Sequence, residues 1–245
     1  MEIMGVRGAN GAGGPSGFAA RLLDALLPVQ CVGCGIWDTV LCPACARLAD
    51  GTEPDWHVLE TSPPGPDLGV WTLGEYEGRL RRIVLAAKHG ERVGLAGFLE
   101  RAGRALGEGV AASGLVGGAR GEAEDIWVVP APSGWRRRFR GQMVAPDVAR
   151  GVGSALARST GLRVRVISCV RLRAGAPSQS GRSAEERRSG RAGSMASAAD
   201  VPPGVAVVLV DDVITTGATL RELARVCGTG TVAAAALCRA GPRAG

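Results

Sequence analysis

Residues 207–219 read VVLVDDVITTGAT, and this stretch decides the fold. Its first four residues are apolar and mostly β-branched, as in a strand buried within a parallel sheet. Asp211 and Asp212 follow at the strand's carboxyl end. Then come Thr215, Thr216, Gly217, Ala218 and Thr219, and after them the helical run LRELARV. Open α/β sheets bind ligands at the carboxyl ends of their strands. A small-residue loop that opens a helix offers backbone N–H groups, threonine hydroxyls and the positive end of the helix dipole, a set that suits a phosphate. Carboxylates just before such a loop would repel a phosphate. They make sense as acceptors for the hydroxyls of a sugar attached to it. Reading Asp-Asp as a polar turn explains the strand and the capped helix but not the paired acids.

Outward from this stretch, strands alternate with helices, which implies an α/β fold with a mainly parallel sheet. Strands are expected at 70–76, 126–129, 163–167, 205–210 and 231–237. Helices are expected at 79–88, 93–110, 144–158 and 220–227, the second weakened by Gly97 and Gly103. Residues 113–125 read as a loop. Residues 176–199, full of Ser, Arg and Gly, read as a mobile polar loop with a short helix.

Near the N-terminus, Cys31, Cys34, Cys42 and Cys45 follow the pattern C-x2-C-x7-C-x2-C. Each C-x2-C puts two thiolates on one tight turn, and two turns complete a tetrahedral four-cysteine zinc site. Four thiolates leave no open position, so the zinc is structural. A redox role calls for one such motif, not two in tandem, and disulfides are disfavoured in the cytoplasm. The spacer GIWDTVL can form a small hairpin. Cys169, Cys227 and Cys238 stand alone in apolar segments and read as buried core residues.

This divides the 245-residue chain into a disordered tail at 1–17, a helix with the cysteine module at 18–50, a proline-rich linker at 51–69 and an α/β domain at 70–245. No apolar run reaches membrane-spanning length. Residues 18–29 carry Arg21 and Asp24 and are too short for a signal-peptide core, so no membrane insertion and a cytoplasmic location are expected. Lys88 is the only lysine among 29 basic residues. That bias makes arginine content weak evidence for nucleic-acid binding, although the net charge of +6 would attract polyanions.

The 207–219 stretch closely resembles the phosphoribosyl diphosphate (PRPP) motif of type I phosphoribosyltransferases. The resemblance implies that Asp211 and Asp212 bind the ribose 2′- and 3′-hydroxyls and that residues 215–219 cradle the 5′-phosphate. Three further stretches resemble the ComF family, of competence protein F and its relatives, as does a zinc module set before such a domain. IWVVPAPSGWRRRFRGQ resembles the family's strand and basic loop, which implies that Arg136, Arg137, Arg138 and Arg140 contact pyrophosphate. RLRRIVLAAKHGER resembles its helix ending in lysine, with Lys88 as the match. RLRAGAPSQSGRSAEERRSGRAGSM resembles its Gln and Ser-x-x-x-Arg segment, with Gln179, Ser183 and Arg187 in place. The chain departs from the family at FRGQMVAP and at Gly190, where an asparagine is usual. It also lacks the second C-x-x-C pair of many relatives, which points to one zinc.

Each secondary site keeps a plainer alternative. The arginine run could be a solvated surface, Lys88 a helix-terminal residue favoured by the dipole, and 179–187 a linker with no ligand role. His57 and His89 have no partner ligands or nucleophile in the sequence. Two functions follow from the resemblance. One is an enzyme that binds PRPP with Mg2+ and transfers ribose 5-phosphate to an acceptor the sequence does not identify, with no evident general base. The other is a non-catalytic competence protein that binds single-stranded DNA or a helicase partner. Single-strand binders interleave aromatic residues for base stacking. Here only Trp135 and Phe139 sit within a basic cluster, which favours PRPP.

Overall fold

The computed structural model describes residues 29–51, 53–61, 67–89, 94–116, 123–133, 143–173 and 193–241. Its strands in chain order are β1 (Asp55–Leu59), β2 (Leu68–Thr72), β3 (Asp125–Pro130), β4 (Arg163–Val166), β5 (Val170–Leu172), β6 (Met195–Ser197), β7 (Val205–Ile214) and β8 (Thr231–Arg239). The helices are α1 (Pro43–Ala46), α2 (Gly78–His89), α3 (Ala96–Ala112), α4 (Ala145–Thr160) and α5 (Ala218–Cys227). Six strands form one sheet in the order β1-β2-β8-β7-β3-β4. Its pairings are parallel except that of β1 with β2. Strands β5 and β6 form a separate antiparallel hairpin. The fold is therefore α/β, a mostly parallel mixed sheet flanked by helices.

Alternation along β7 divides the core. Ala206, Val208 and Val210 face α2, α3 and α4. Val207 and Leu209 face α5 and the β5–β6 hairpin. A strand buried on both sides needs apolar residues at every position, which is what 205–210 supplies. The chain leaves β3 through α4 to β4, on one side, and leaves β7 through α5 to β8, on the other. The connections diverge at the adjacent pair β3 and β7, the switch point at whose carboxyl ends α/β sheets bind ligands.

Helices α3 and α4 cross closely because glycines meet there. A Cβ on Gly103 would collide with the Val148 carbonyl, and one on Gly151 with the Glu100 carbonyl. A Cβ on Gly107 would lie 2.7 Å from the Val152 carbonyl oxygen. Gly103, expected to weaken its helix, instead lets it pack.

The stretch 51–69 is not only a linker, because Asp55–Leu59 pairs with β2 as the antiparallel edge of the sheet. Its prolines lie outside the strand, and DWHVL between them is proline-free and rich in β-formers. Nor does the cysteine module have a core of its own. Cys31, Cys42, Cys45 and Ala49 share one apolar cluster with Ile83, Val84 and Leu99. Arg82 Nε donates to the Gly33 carbonyl at 2.5 Å, and Arg101 pairs with Asp50 at 3.1 Å. Strand β7 also runs four residues beyond its expected end, because β8 continues alongside it to pair Val213 with Cys238 and Ile214 with Arg239. Within the expected polar loop at 176–199, Met195–Ser197 is strand β6. Among the described residues, no helix is long and apolar enough to cross a membrane.

Candidate functional site

Asp211 and Asp212 occupy the last turns of the pleat in β7, beside the end of β3, where Pro130 pairs with Val210. Asp211 is 8% exposed, and its Oδ1 accepts the Asp212 N–H at 2.8 Å. Asp212 points to the α2 side, where its Oδ1 lies 2.9 Å from Lys88 Nζ. Each partner of this pair is about one-fifth exposed. Lys88 sits in the last turn of α2, where the helix dipole favours a cation. The lysine and the acidic pair singled out in the sequence thus meet in space. Burial pushes the thiol of the buried Cys238 beside them up to about 12.

The loop after β7 turns sharply into α5. Gly217 is the N-cap, with φ +72° in the left-handed region that glycine adopts without strain. A glycine has no side chain with which to cap a helix. Thr216 Oγ1 accepts from the Ala218 N–H at 3.4 Å, a long contact. Thr215 is exposed, Thr216 and Thr219 are half-buried, and Gly217 and Ala218 are buried. This set of N–H groups, hydroxyls and helix dipole can hold an anion next to two carboxylates that can hold hydroxyls.

Arg221, in the first turn of α5, was not singled out in the sequence. Its Nη1 donates to the Thr216 carbonyl and its Nε to the Glu60 carbonyl, both at 2.6 Å. A cation in a helix's first turn opposes the dipole. That misplaced charge was the only hint available in the sequence. On the same side of the sheet, the buried Glu222 accepts from the Met195 N–H at 3.0 Å and from Arg225, tying hairpin β5–β6 to α5. Burial pushes the Glu222 carboxyl up, but the Arg225 and backbone hydrogen bonds outweigh it and hold the group below its ordinary value.

Arg136, Arg137, Arg138 and Arg140, with Trp135 and Phe139, lie outside the described residues, as do Gln179, Ser183 and Arg187. His57 Nε2 lies 3.2 Å from Thr72 Oγ1, a buried hydroxyl it satisfies. Cys169, Cys227 and Cys238 are buried, as expected.

The four N-terminal cysteines come together on two turns. Their sulfurs all lie within 4.8 Å of one another, and the Cys34 and Cys42 sulfurs are 3.6 Å apart. A tetrahedral metal with bonds of about 2.3 Å sets its sulfurs roughly 3.8 Å apart, so the cluster fits a metal such as zinc. The Cys42 N–H donates to Cys31 Sγ at 3.3 Å. A Cβ on Gly33 would lie 2.6 Å from Cys45 Sγ, so this position must be glycine for the thiol to reach the cluster. Burial pushes the Cys31 thiol up, but backbone hydrogen bonds from Cys42, Cys34 and Gly33 bring it down to about 6. Burial and the neighbouring thiols push Cys45 up. Packing four sulfurs this closely leaves them in competition for protons, which a cation would resolve.

No family model matches the chain, and no curated protein matches it.

Proposed function

We propose that the cleft at the ends of β3 and β7 binds PRPP and that the chain is a ComF-type member of the phosphoribosyltransferase family. One observation carries this reading. The acidic pair and the helix-opening loop are consecutive at the carboxyl end of β7, where a sugar and its 5′-phosphate span adjacent groups. Asp211 and Asp212 accept the ribose hydroxyls, and residues 215–219 hold the phosphate. Mg2+ arrives with the ligand and offsets the charge on its pyrophosphate.

Transfer would break the bond from the sugar's C1 to pyrophosphate, the bond's electrons leaving with that group, and form a bond from C1 to the acceptor. The protein's part is to fix the sugar while positive charge develops at C1. Asp211 and Asp212 hold the hydroxyl edge of the ring, and Lys88 holds Asp212 in place. We assign the four-thiol cluster to one structural zinc, which supplies a cross-link and no chemistry.

The test is a calorimetric titration of PRPP with Mg2+ into the full chain, repeated with Asp211→Asn/Asp212→Asn. The wild type binds, and the double variant, folded by circular dichroism, binds at least tenfold more weakly, as expected when charge-assisted hydrogen bonds of about 1.5–3 kcal/mol are weakened. Equal affinity in the double variant overturns the assignment. So does a wild type that ignores PRPP and binds single-stranded DNA at physiological salt.

A further inference from the structure

We propose that Arg221 and Leu59 form a latch that fastens edge strand β1 to the ligand loop and sets the direction of the loop's N–H groups. The inference rests on the reading of that loop as a phosphate cradle. It concerns residues outside the 207–219 stretch.

Arg221 donates from two different nitrogens to two segments far apart in sequence. One is the Thr216 carbonyl, inside the loop. The other is the Glu60 carbonyl, just past the end of β1. A peptide group is planar and trans, so its C=O and N–H point in opposite directions. Holding the Thr216 carbonyl therefore turns the Gly217 N–H away from Arg221. Rotation of that peptide would cost both loop and latch. Leu59 closes on the same place, its Cδ1 and Arg221 Nη1 both among the atoms nearest to where a Cβ on Gly217 would be. Any side chain there would have to displace Leu59 or Arg221, besides adopting a φ of +72°.

A cation in the first turn of a helix is unfavourable unless something offsets it. Two carbonyl acceptors do so here. A phosphate at the helix start would do so further, because the guanidinium adds positive potential beside it. Strand β1 is an antiparallel addition at the edge of a parallel sheet, where it pairs with β2. The latch gives this edge a task, that of bracing the cradle from outside. Arg221 is thus a positioning residue that acts on the ligand through the 216–217 peptide.

The test measures ribose 5-phosphate and PRPP–Mg2+ affinity in the wild type, Arg221→Ala, Arg221→Lys and Leu59→Ala. Arg221→Ala is expected to weaken both ligands about tenfold, the loss of one charge-assisted bond. Lysine cannot reach two carbonyls from two nitrogens, so Arg221→Lys should stay within about threefold of the alanine variant. Leu59→Ala should weaken both ligands in the same direction while keeping all charge. Full recovery in Arg221→Lys would show that charge alone matters and would overturn the latch. So would wild-type affinity in both alanine variants. A wild type that binds neither ligand overturns the PRPP reading and the latch with it. Binding by the wild type with no effect of the variants overturns the latch alone. Should Arg221→Ala fail to fold, Arg221→Lys and Leu59→Ala decide the question.

Discussion

Breaking the Lys88–Asp212 pair should cost more than its position near the surface suggests. The charges are 2.9 Å apart and each side chain is about four-fifths buried. At an effective dielectric of about 20, the gross attraction at this distance is roughly 6 kcal/mol, most of it offset by desolvation. Exposed pairs contribute about 0–1 kcal/mol, and removing one partner of a fully buried pair costs about 3–5 kcal/mol. The exposure of this pair lies between those cases, so Lys88→Met should destabilise the chain by about 2 kcal/mol. In a chain of this length, about 2–4 °C is lost per kcal/mol, which gives a fall in Tm of roughly 4–8 °C. Asp212→Asn should cost a similar amount by stranding the ammonium. The double variant strands neither charge and should lose little more than either single one. Thermal unfolding of the four proteins in the cycle then yields a coupling near 2 kcal/mol. Additivity within about 0.5 kcal/mol would refute the pair as an energetic unit.

Other expectations follow from the packing. Cys45→Ser should abolish metal binding, read as loss of one zinc per chain by elemental analysis. It should also lower the Tm of the whole protein in a single transition, because the cysteines share a cluster with α2 and α3; a separate early transition with the main one unmoved would contradict this. Gly103→Ala should cost about 3 kcal/mol or more in a chemical denaturation midpoint, since the added methyl meets the Val148 backbone and not a side chain that can move aside. Gly97→Ala meets only the far end of Arg101 and should be neutral or stabilising. Glu222 has its carboxyl held below its ordinary value in the folded state. Its contribution is therefore present above the unfolded carboxyl pKa of about 4.3 and is lost as pH falls through the lower folded value. Glu222→Gln should flatten the acid limb of a stability–pH curve, and an unchanged acid limb would contradict the assignment.

The strands were legible in the sequence because burial on both faces demands continuous apolar runs, and 205–210 and 231–237 have them. The acidic pair and the loop after it were legible because small residues and carboxylates at a strand end have few other uses. Strand β1 was not, because an edge strand is half exposed and its prolines dominated the local composition. The continuity of the cysteine module with the main core was also hidden. A metal site explains its own cysteines, and nothing in the spacing says that Ile83 lies over Gly33. Gly103 was misread because propensity counts what a glycine costs its own helix. What it gains, a carbonyl at contact distance on another helix, depends on which helices become neighbours. Arg221 escaped for the same reason: its acceptors are backbone carbonyls, and backbone carbonyls leave no mark in a sequence.

Both acids of the proposed sugar site already hold partners, and this favours the site. An ionised carboxylate has about four acceptor positions. Asp212 spends one on Lys88, and Asp211 accepts the Asp212 N–H. Neither side chain must give up rotamer freedom when a ligand arrives, because its partner already holds it. The charge balance follows the same logic. Two bare carboxylates would repel a ligand bearing phosphate and pyrophosphate. With Lys88 against Asp212 and Arg221 against the loop, the described part of the cleft carries two cations for two acids. The hydroxyl edge of a phosphosugar then meets acceptors and its phosphate meets donors, without a net field pushing it out.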